Sequence, residues 1–537
     1  MRPPIGSSIW ERNKTIPDLH ASGPAAVPNT PSDKVVTVER AATIIADAKK
    51  HGRTVVLAHG VFDLVHLGHV RHLETAKREG DMLVVSVTED RFVNKGPGRP
   101  AFPAPMRAEM LAALGIVDIV VVNNAATAVN VINALQPSIY VKGSEYTNAD
   151  DDVTGKIVDE QKAVEAGGGR IVFTDDIVFS SSSLINQYMD VYHPELREYL
   201  ERLRERITVD DITAMIDKVA GMKVLLVGDA IIDEYQYVTS MGKSPKEAMI
   251  ATKFGGREVF AGGVFAAANH VASFCAEVEV LTCLGSDDTY EEFIKSHLKP
   301  NVRLNAVYRE GAPTTRKCRF VDQSYLRKMF EVYFFEDGPL AGNCQSDLDN
   351  MINERAGEFD LVIVTDFGHG LIAPSTIRAL QDNAKFLAVN AQSNSANHGY
   401  NLITKYGRAD YVCIDAPEAR LAMSDKFCEI GDLISTRLAP QLDCKRMIVT
   451  QGKDGCITFD EARGTRTIPA FTKSVIDTVG AGDAFLSVTS PLVASGAPMD
   501  LVGFVGNAAG AMKVGIVGHR KSIDKVPLVK FMTRLLK

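Results

Sequence analysis

The chain has no cysteine before Cys275. All eight of its cysteines lie at or beyond that position, none forms a CxxC pair, and the Cys275/Cys283 spacing fits no zinc-ligand pattern. A disulfide framework and a cysteine-built metal site are therefore not expected; free buried thiols in a reducing compartment are. Long apolar runs are also missing. No stretch reaches the roughly 18 residues of a membrane span, and the N-terminus lacks the apolar centre of a signal peptide. There is no polybasic run, and the formal net charge is −8. Nucleic acid and membrane are thus not expected as partners. What these absences leave is a cytoplasmic protein.

What is present is an ordinary globular composition, 45% hydrophobic and 23% charged over 537 residues, enough for two to four domains. Residues 1–34 carry six prolines among Ser, Asn and Thr and read as a disordered tail. From 35 to 193, short apolar runs ("TVVLA", "MLVVSV", "VDIVVV", "SIYVKG", "RIVFT") alternate with helical patterns. That alternation predicts an α/β domain with a parallel sheet. Residues 194–219 are charged and helical and read as a linker. A second α/β series, "MKVLLVGD" through "RMIVTQG", fills 220–537.

The stretch "AHGVFDLVHLGHVRHLE" holds four of the twelve histidines. Three readings are open: a metal site on His66, His69 and His72; scattered surface histidines, which suits His72; or phosphate handling. The third fits a strand end at Gly60, a glycine at Gly68 and a helix running on from there. Glycine allows close backbone approach, a helix N-terminus attracts anions, and two imidazoles can donate hydrogen bonds to a phosphate.

At these residues the chain resembles the HxGH nucleotidyltransferases. The resemblance continues in "NKGPGRP", "VKGSEY" and "FSSSSLIN". It implies a Rossmann-like domain that transfers NMP from an NTP to a phosphate monoester and releases pyrophosphate. His66 and His69 would then stabilise charge on the α-phosphoryl group. Gly60, Phe62, Asp63, Gly68, Lys95, Arg107, Lys142, Ser181, Ser182 and Ser183 would bind the nucleotide or its phosphates. Asp63 has a second reading, as a residue that orients the loop. The acceptor is already anionic, so positioning and electrostatics carry the reaction and no base is required. The segment "DDIVFSSSS" lacks the Arg-Thr-Glu-Gly of cytidylyltransferases, which favours ATP and a likeness to heptose-phosphate adenylyltransferases; CTP stays open.

In the second half, "DTVGAGDAF" sets Thr478, Gly480, Ala481 and Gly482 in a tight turn before a helix, an anion hole with Asp483 beside it. A sugar hydroxyl has a proton to lose, so a base is useful here. This segment resembles the ribokinase-like (PfkB) carbohydrate kinases. The resemblance implies Asp483 as base, and Thr450, Gly452 and Gly455 near ATP. Asp229, Asp233, Gly262, Gly263 and Asn269 would bind the sugar, and Lys317 and Arg319 a phosphate on it. Mg²⁺ would be held indirectly through Asp415 and Glu418, and a homodimer is expected. "NAQSN" (Asn390, Ala391, Gln392 and on) stands where the family has Asp-Pro-Lys, and Asp415 where it has Asn. Together the halves resemble the bifunctional heptose kinase/adenylyltransferases that make ADP-heptose, with the domain order reversed. The other reading open is a transferase, using ATP or CTP, with a non-catalytic, regulatory or dimerising kinase-like half.

Overall fold

The computed structural model describes residues 31–93, 100–143, 156–174, 193–323, 326–340, 342–472 and 475–536. The chain divides into two compact units, Met1–Val93 with Phe102–Val178, and Asn94–Ala101 with Phe179–Lys537.

In the first unit five strands form one sheet: β1 (Val55–Gly60), β2 (Met82–Thr88), β3 (Ile119–Asn123), β4 (Ile139–Gly143) and β5 (Arg170–Thr174). Their order is β3-β2-β1-β4-β5, and every pair is parallel. The five apolar runs noted in the sequence are these five strands. Successive side chains of a strand face opposite ways, so Val55 and Leu57 enter one core and Val56 and Ala58 another. Helices Val38–Lys50 and Val129–Leu135 close the first face, and Leu67–Arg78 and Ala104–Ala112 the second. Burial on both faces is why β2 shows no polar alternation: all seven of its residues are buried. The strand order reverses between β1 and β4. The C-terminal ends of those two strands therefore flank the crevice where doubly wound sheets bind ligands.

The second unit is built on a nine-stranded sheet, β10-β9-β6-β13-β14-β15-β16-β17-β18. The strands are β6 (Lys223–Gly228), β9 (Glu277–Asp287), β10 (Val302–Pro313), β13 (Leu361–Asp366), β14 (Leu387–Ala391), β15 (Tyr411–Asp415), β16 (Arg446–Thr450), β17 (Cys456–Asp460) and β18 (Gly464–Ile468). It is parallel from β10 to β16 and antiparallel beyond. A separate four-stranded sheet, β12-β11-β7-β8, consists of β7 (Ala230–Lys243), β8 (Ile250–Gly263), β11 (Arg316–Asp322) and β12 (Arg327–Phe334).

Residues 194–219 are not a free linker. Their helices, Pro194–Arg204 and Val209–Asp217, set Leu196, Leu200, Leu203, Ile212 and Ile216 into the core of the second unit. The 4-and-3 spacing of those leucines is an apolar helix stripe, which the dense surface charge masked. Among the described residues, no helix is long and apolar enough to cross a membrane.

Candidate active sites

The loop from β1 to the helix Leu67–Arg78 is shaped by its own side chains. Phe62 takes a left-handed backbone, φ +49°. Its ring lies so near Gly60 that a Cβ there would meet it at 3.1 Å. Asp63 is fully buried and accepts the Phe102 N–H at 3.3 Å. This contact ties the loop to the Phe102 backbone.

His66 is the helix N-cap. Its backbone is extended, and its Nδ1 accepts the Gly68 N–H at 3.1 Å. In return, His69 Nδ1 accepts the His66 N–H at 3.4 Å. A capping box is usually made by Ser/Thr and Glu; here two imidazoles make it. The consequence is chemical. With Nδ1 of each ring accepting, each proton resides on Nε2, so both histidines are fixed as Nε2–H donors at a helix N-terminus. The rings lie 4.0 Å apart, and Phe62 packs edge-on against His69 at 5.3 Å.

Of the other two histidines of the run, His59 ties two strands together and His72 ties its helix to a strand. His59 meets Ser86 Oγ at 3.1 Å and Thr88 Oγ1 at 3.4 Å; His72 meets Thr174 Oγ1 at 2.9 Å. Among the described residues, no three His, Cys, Asp or Glu converge as metal ligands.

Two expected nucleotide contacts have other employment. Arg107 is fully buried; its Nε reaches Phe102 O at 2.8 Å, its Nη1 reaches Val61 O, and its Nη2 reaches Thr88 O at 2.8 Å and Asp90 at 2.6 Å. It braces the loop. Lys142, at the end of β4, pairs with Glu160 at 2.9 Å. Burial raises Glu160, but Lys142 outweighs it and holds the carboxyl below its usual range. Lys95 and Ser181, Ser182 and Ser183 lie outside the described residues.

In the second unit, the turn before the helix Ala481–Ala494 has Gly480 at φ +73° as its cap. Asp477 holds the turn, accepting from Val479 N at 3.1 Å, Gly518 N at 2.8 Å, Tyr235 Oη at 2.7 Å and Lys328 Nζ at 2.6 Å. The turn opens on a cavity of about 520 Å³. That cavity collects most of the kinase residues expected from the sequence: Asp233, Gly263, Lys317, Arg319, Asp415, Glu418, Thr450, Gly452, Gly455, Thr478, Gly480, Ala481, Gly482 and Asp483.

Asp229, Gly262 and Asn269 are not among its lining residues. Asp229 is buried behind the site and accepts the Phe367 N–H at 2.7 Å; burial and the neighbouring Asp366 push its carboxyl up to about 7. Asn269 ties backbone at His297 and Lys299, both at 2.9 Å. Gly262 acts through what it lacks, since a Cβ there would stand 2.0 Å from Asp233 Oδ2.

The charges in the cavity are unequal. Arg319 is committed to Asp233 and, at 3.2 Å, to Glu331. Lys317 has no carboxylate within 4.0 Å among the described residues; its Nζ stands 5.1 Å over the Tyr333 ring and 5.7 Å over Phe367. Burial lowers its pKa. Lys453, which also lines the cavity, likewise has no carboxylate within 4.0 Å among the described residues. Asp415 and Glu418 cap their own helix reciprocally, each accepting the other's N–H at 2.8 Å. Burial raises both carboxyls, Glu418 also through the charge of Asp415. Two adjacent carboxylates, in the cavity that also holds the Gly480–Gly482 turn, are a donor set that suits a divalent cation holding most of its own water.

Asp483 is buried, which raises its pKa, and accepts from Gln392 Nε2 at 3.0 Å. His519 also lines this cavity, with Nε2 3.2 Å from Asp233. Neither Gln392 nor His519 was expected as a site residue. Gln392 stood inside a segment legible only as a departure, and "VGHRKS" has no pattern that marks its histidine.

A family model described as "pfkB family carbohydrate kinase" matches residues 222–526, and one described as "Cytidylyltransferase-like" matches 57–187. Similar proteins include "Bifunctional protein HldE" of Gluconobacter oxydans (strain 621H), 45% identical over 143 residues, 26% of this chain and 28% of that one. The protein of the same name from Citrifermentans bemidjiense is 23% identical over 313 residues, 57% of this chain and 63% of its own. The chain thus spans less than two thirds of the curated relatives it matches. Among solved structures, ribokinase from Thermotoga maritima is 20% identical, with a TM-score of 0.45 over 58% of this chain and 99% of that one.

Proposed function

Because the chain belongs to the pfkB family of carbohydrate kinases, we propose that it is a bifunctional enzyme of nucleotide-sugar synthesis. One unit phosphorylates a heptose-like sugar or sugar phosphate with ATP. The other transfers NMP, from ATP by preference, to a sugar 1-phosphate. The observation that carries this reading is a shared device: each unit sets its candidate phosphate-handling groups, His66 and His69 in one and Asp483 in the other, at a helix N-terminus.

In the kinase step, Asp483 takes the proton of the acceptor hydroxyl. That oxygen bonds to the γ-phosphorus, the bond to the β,γ-bridging oxygen breaks, and ADP leaves. The N–H groups of Gly480–Gly482 receive the phosphoryl charge, and Lys317 holds an anionic group of the acceptor. Asp415 and Glu418 would hold Mg²⁺ through water; bound there, it would neutralise ATP phosphate charge. In the transfer step, a phosphate oxygen of the sugar phosphate bonds to the α-phosphorus and pyrophosphate leaves. The two Nε2–H donors meet charge developing on the α-phosphoryl oxygens. A homodimer remains part of the reading, supported by Phe254, Phe330 and Phe334, which stay exposed on the four-stranded sheet.

The test is a grid of four NTPs against several sugar 1-phosphates, read as pyrophosphate release, alongside ATP consumption with heptoses, hexoses and their phosphates. The expected outcome is pyrophosphate release with ATP and ADP formation with a heptose-like acceptor. Silence in both assays overturns the proposal.

A further inference from the structure

His519 lies outside every motif of the second unit, on the loop between helices Met499–Lys513 and Lys525–Leu536. Two contacts at its neighbour fix that loop against the anion-hole turn. Gly518 N donates to Asp477 at 2.8 Å, and Gly518 O accepts from Lys513 Nζ at 2.8 Å. The same ammonium reaches Val479 O at 2.6 Å. The imidazole carried in by this loop is 6% exposed, with Nε2 3.2 Å from Asp233 Oδ2.

Asp233 also pairs with Arg319, and although burial alone would raise its pKa, these two partners hold it far below the usual carboxylate range. It is therefore an acceptor, and the imidazole carries its proton on Nε2. Nδ1 points elsewhere. It is buried, and among the described residues it has no hydrogen-bond partner. It lies against Gly480, where a Cβ would stand 3.1 Å from it and 2.5 Å from Cε1. A buried polar atom left unpaired is costly. Here that atom lies against the N-cap of the helix Ala481–Ala494, and the residue that carries it lines the cavity that holds Asp483.

We infer that His519 is a phosphate-facing catalytic residue of the kinase site, backed by Asp233 through Nε2 and donating from Nδ1 to the phosphoryl group in transfer. The inference rests on the kinase reading proposed above. With a carboxylate behind and a phosphate in front, the imidazole takes up a solvent proton when the nucleotide binds. That proton stays on Nδ1 throughout. The hydroxyl proton goes to Asp483, the phosphoryl group to the acceptor oxygen, and the departing electron pair to ADP.

Asparagine and glutamine separate the two ring nitrogens, because an Asn amide reaches about as far as Nδ1 and a Gln amide about as far as Nε2. His519→Gln keeps the tie to Asp233 and loses the group facing phosphate; His519→Asn does the reverse. In the full chain, His519→Gln should lower kcat for phosphorylation by ~10²–10³-fold. KM for the acceptor should stay within about threefold and the melting temperature unchanged, and His519→Asn should recover at least about tenfold of the loss. Equal losses in both variants, a loss that follows the melting temperature, or a His519→Gln rate within about threefold of wild type overturns the inference. Should the wild type phosphorylate no sugar, the proposed function fails separately, and binding of ADP with orthovanadate decides this point. Weaker binding by His519→Gln supports it and equal binding overturns it.

Discussion

Gln392 donates its side-chain amide to the buried carboxylate of Asp483 at 3.0 Å. The contact joins the end of the strand Leu387–Ala391 to the first turn of the helix Ala481–Ala494. It engages one carboxylate oxygen, Oδ1; in the proposed reaction the carboxylate receives the hydroxyl proton. Asp483→Asn keeps shape and burial and removes only the basicity. Phosphorylation should fall by ~10²–10⁴-fold, the usual size of a general-base contribution, while ATP binding measured by calorimetry stays near wild type. Wild-type turnover in this variant would remove Asp483 from the role of base.

The pH profile follows from the same burial. Asp483 must be ionised to accept a proton. Desolvation raises its pKa, opposed by His519, Lys513 and Lys317 and reinforced by Asp233. The acid limb of kcat/KM should therefore lie above the usual carboxylate range, with rate lost as pH falls through it. Gln392→Leu removes a hydrogen bond to the ionised form and should move that limb to higher pH. An unmoved limb would mean that another group sets it.

His66 and His69 each accept a backbone N–H at the start of the same helix. His66→Ala leaves the Gly68 N–H without its imidazole acceptor, and His69→Ala leaves the residue-66 N–H without its own; in each variant the remaining ring keeps the backbone donor that holds it. Either change should lower pyrophosphate release by ~10²–10³-fold and leave the phosphorylation rate unchanged, because the two sites lie in separate units. Loss of both activities together would contradict that division.

How much of this was readable beforehand depends on which force wrote the signal. Strands β1 to β4 of the first unit and the parallel strands β6, β9, β13, β14, β15 and β16 stand out as apolar runs because most of their residues are buried on both faces; β5 is apolar in sequence but only half-buried. Strands β7, β8, β11 and β12 carry no such signal. Their burial is partial and uneven along each strand, as in Ile250–Gly263, where only the final four residues are buried. Yet this sheet carries Asp233, Lys317 and Arg319. The glycine turns were legible because a left-handed φ leaves a residue-type signature. His519 and Gln392 were not, since they reach the site through tertiary contacts to Asp233 and Asp483 that no local spacing encodes. Arg107 was misassigned for a related reason: a lone arginine near a phosphate loop does not reveal that backbone carbonyls already occupy it.

That correction can be tested. Arg107→Met leaves the carbonyls of Phe102, Val61 and Thr88 without their donor inside the protein. The first unit should lose about 3 kcal/mol of stability or more, since each stranded buried group costs ~1–3 kcal/mol. Denaturant titration of the full chain should show the transition of the first unit moving to lower denaturant, with that of the second unit fixed. Arg107→Lys cannot reproduce the fork and should be destabilised too. A variant of unchanged stability that had lost only nucleotide affinity would restore Arg107 to the binding site.

Asp229 gives a prediction of opposite character, because its neutral form is the one that folding favours. Its carboxyl is pushed up to about 7 by burial and by Asp366, against roughly 3.9 in an unfolded chain. Between those values the folded state holds a proton that the unfolded state has released. The contribution of Asp229 to stability is thus full below about pH 4 and lost as pH rises through about 7. Asn in its place removes the titration and keeps an oxygen to accept the Phe367 N–H, now 2.7 Å from the Asp229 carboxylate. The stability of Asp229→Asn relative to wild type should therefore improve steadily from pH 4 to pH 7 and then level off, as read from denaturant midpoints across that range. Parallel curves would mean that Asp229 is already ionised in the folded protein, held so by the Phe367 amide and by Lys405, which pairs with its neighbour Asp366 at 2.5 Å.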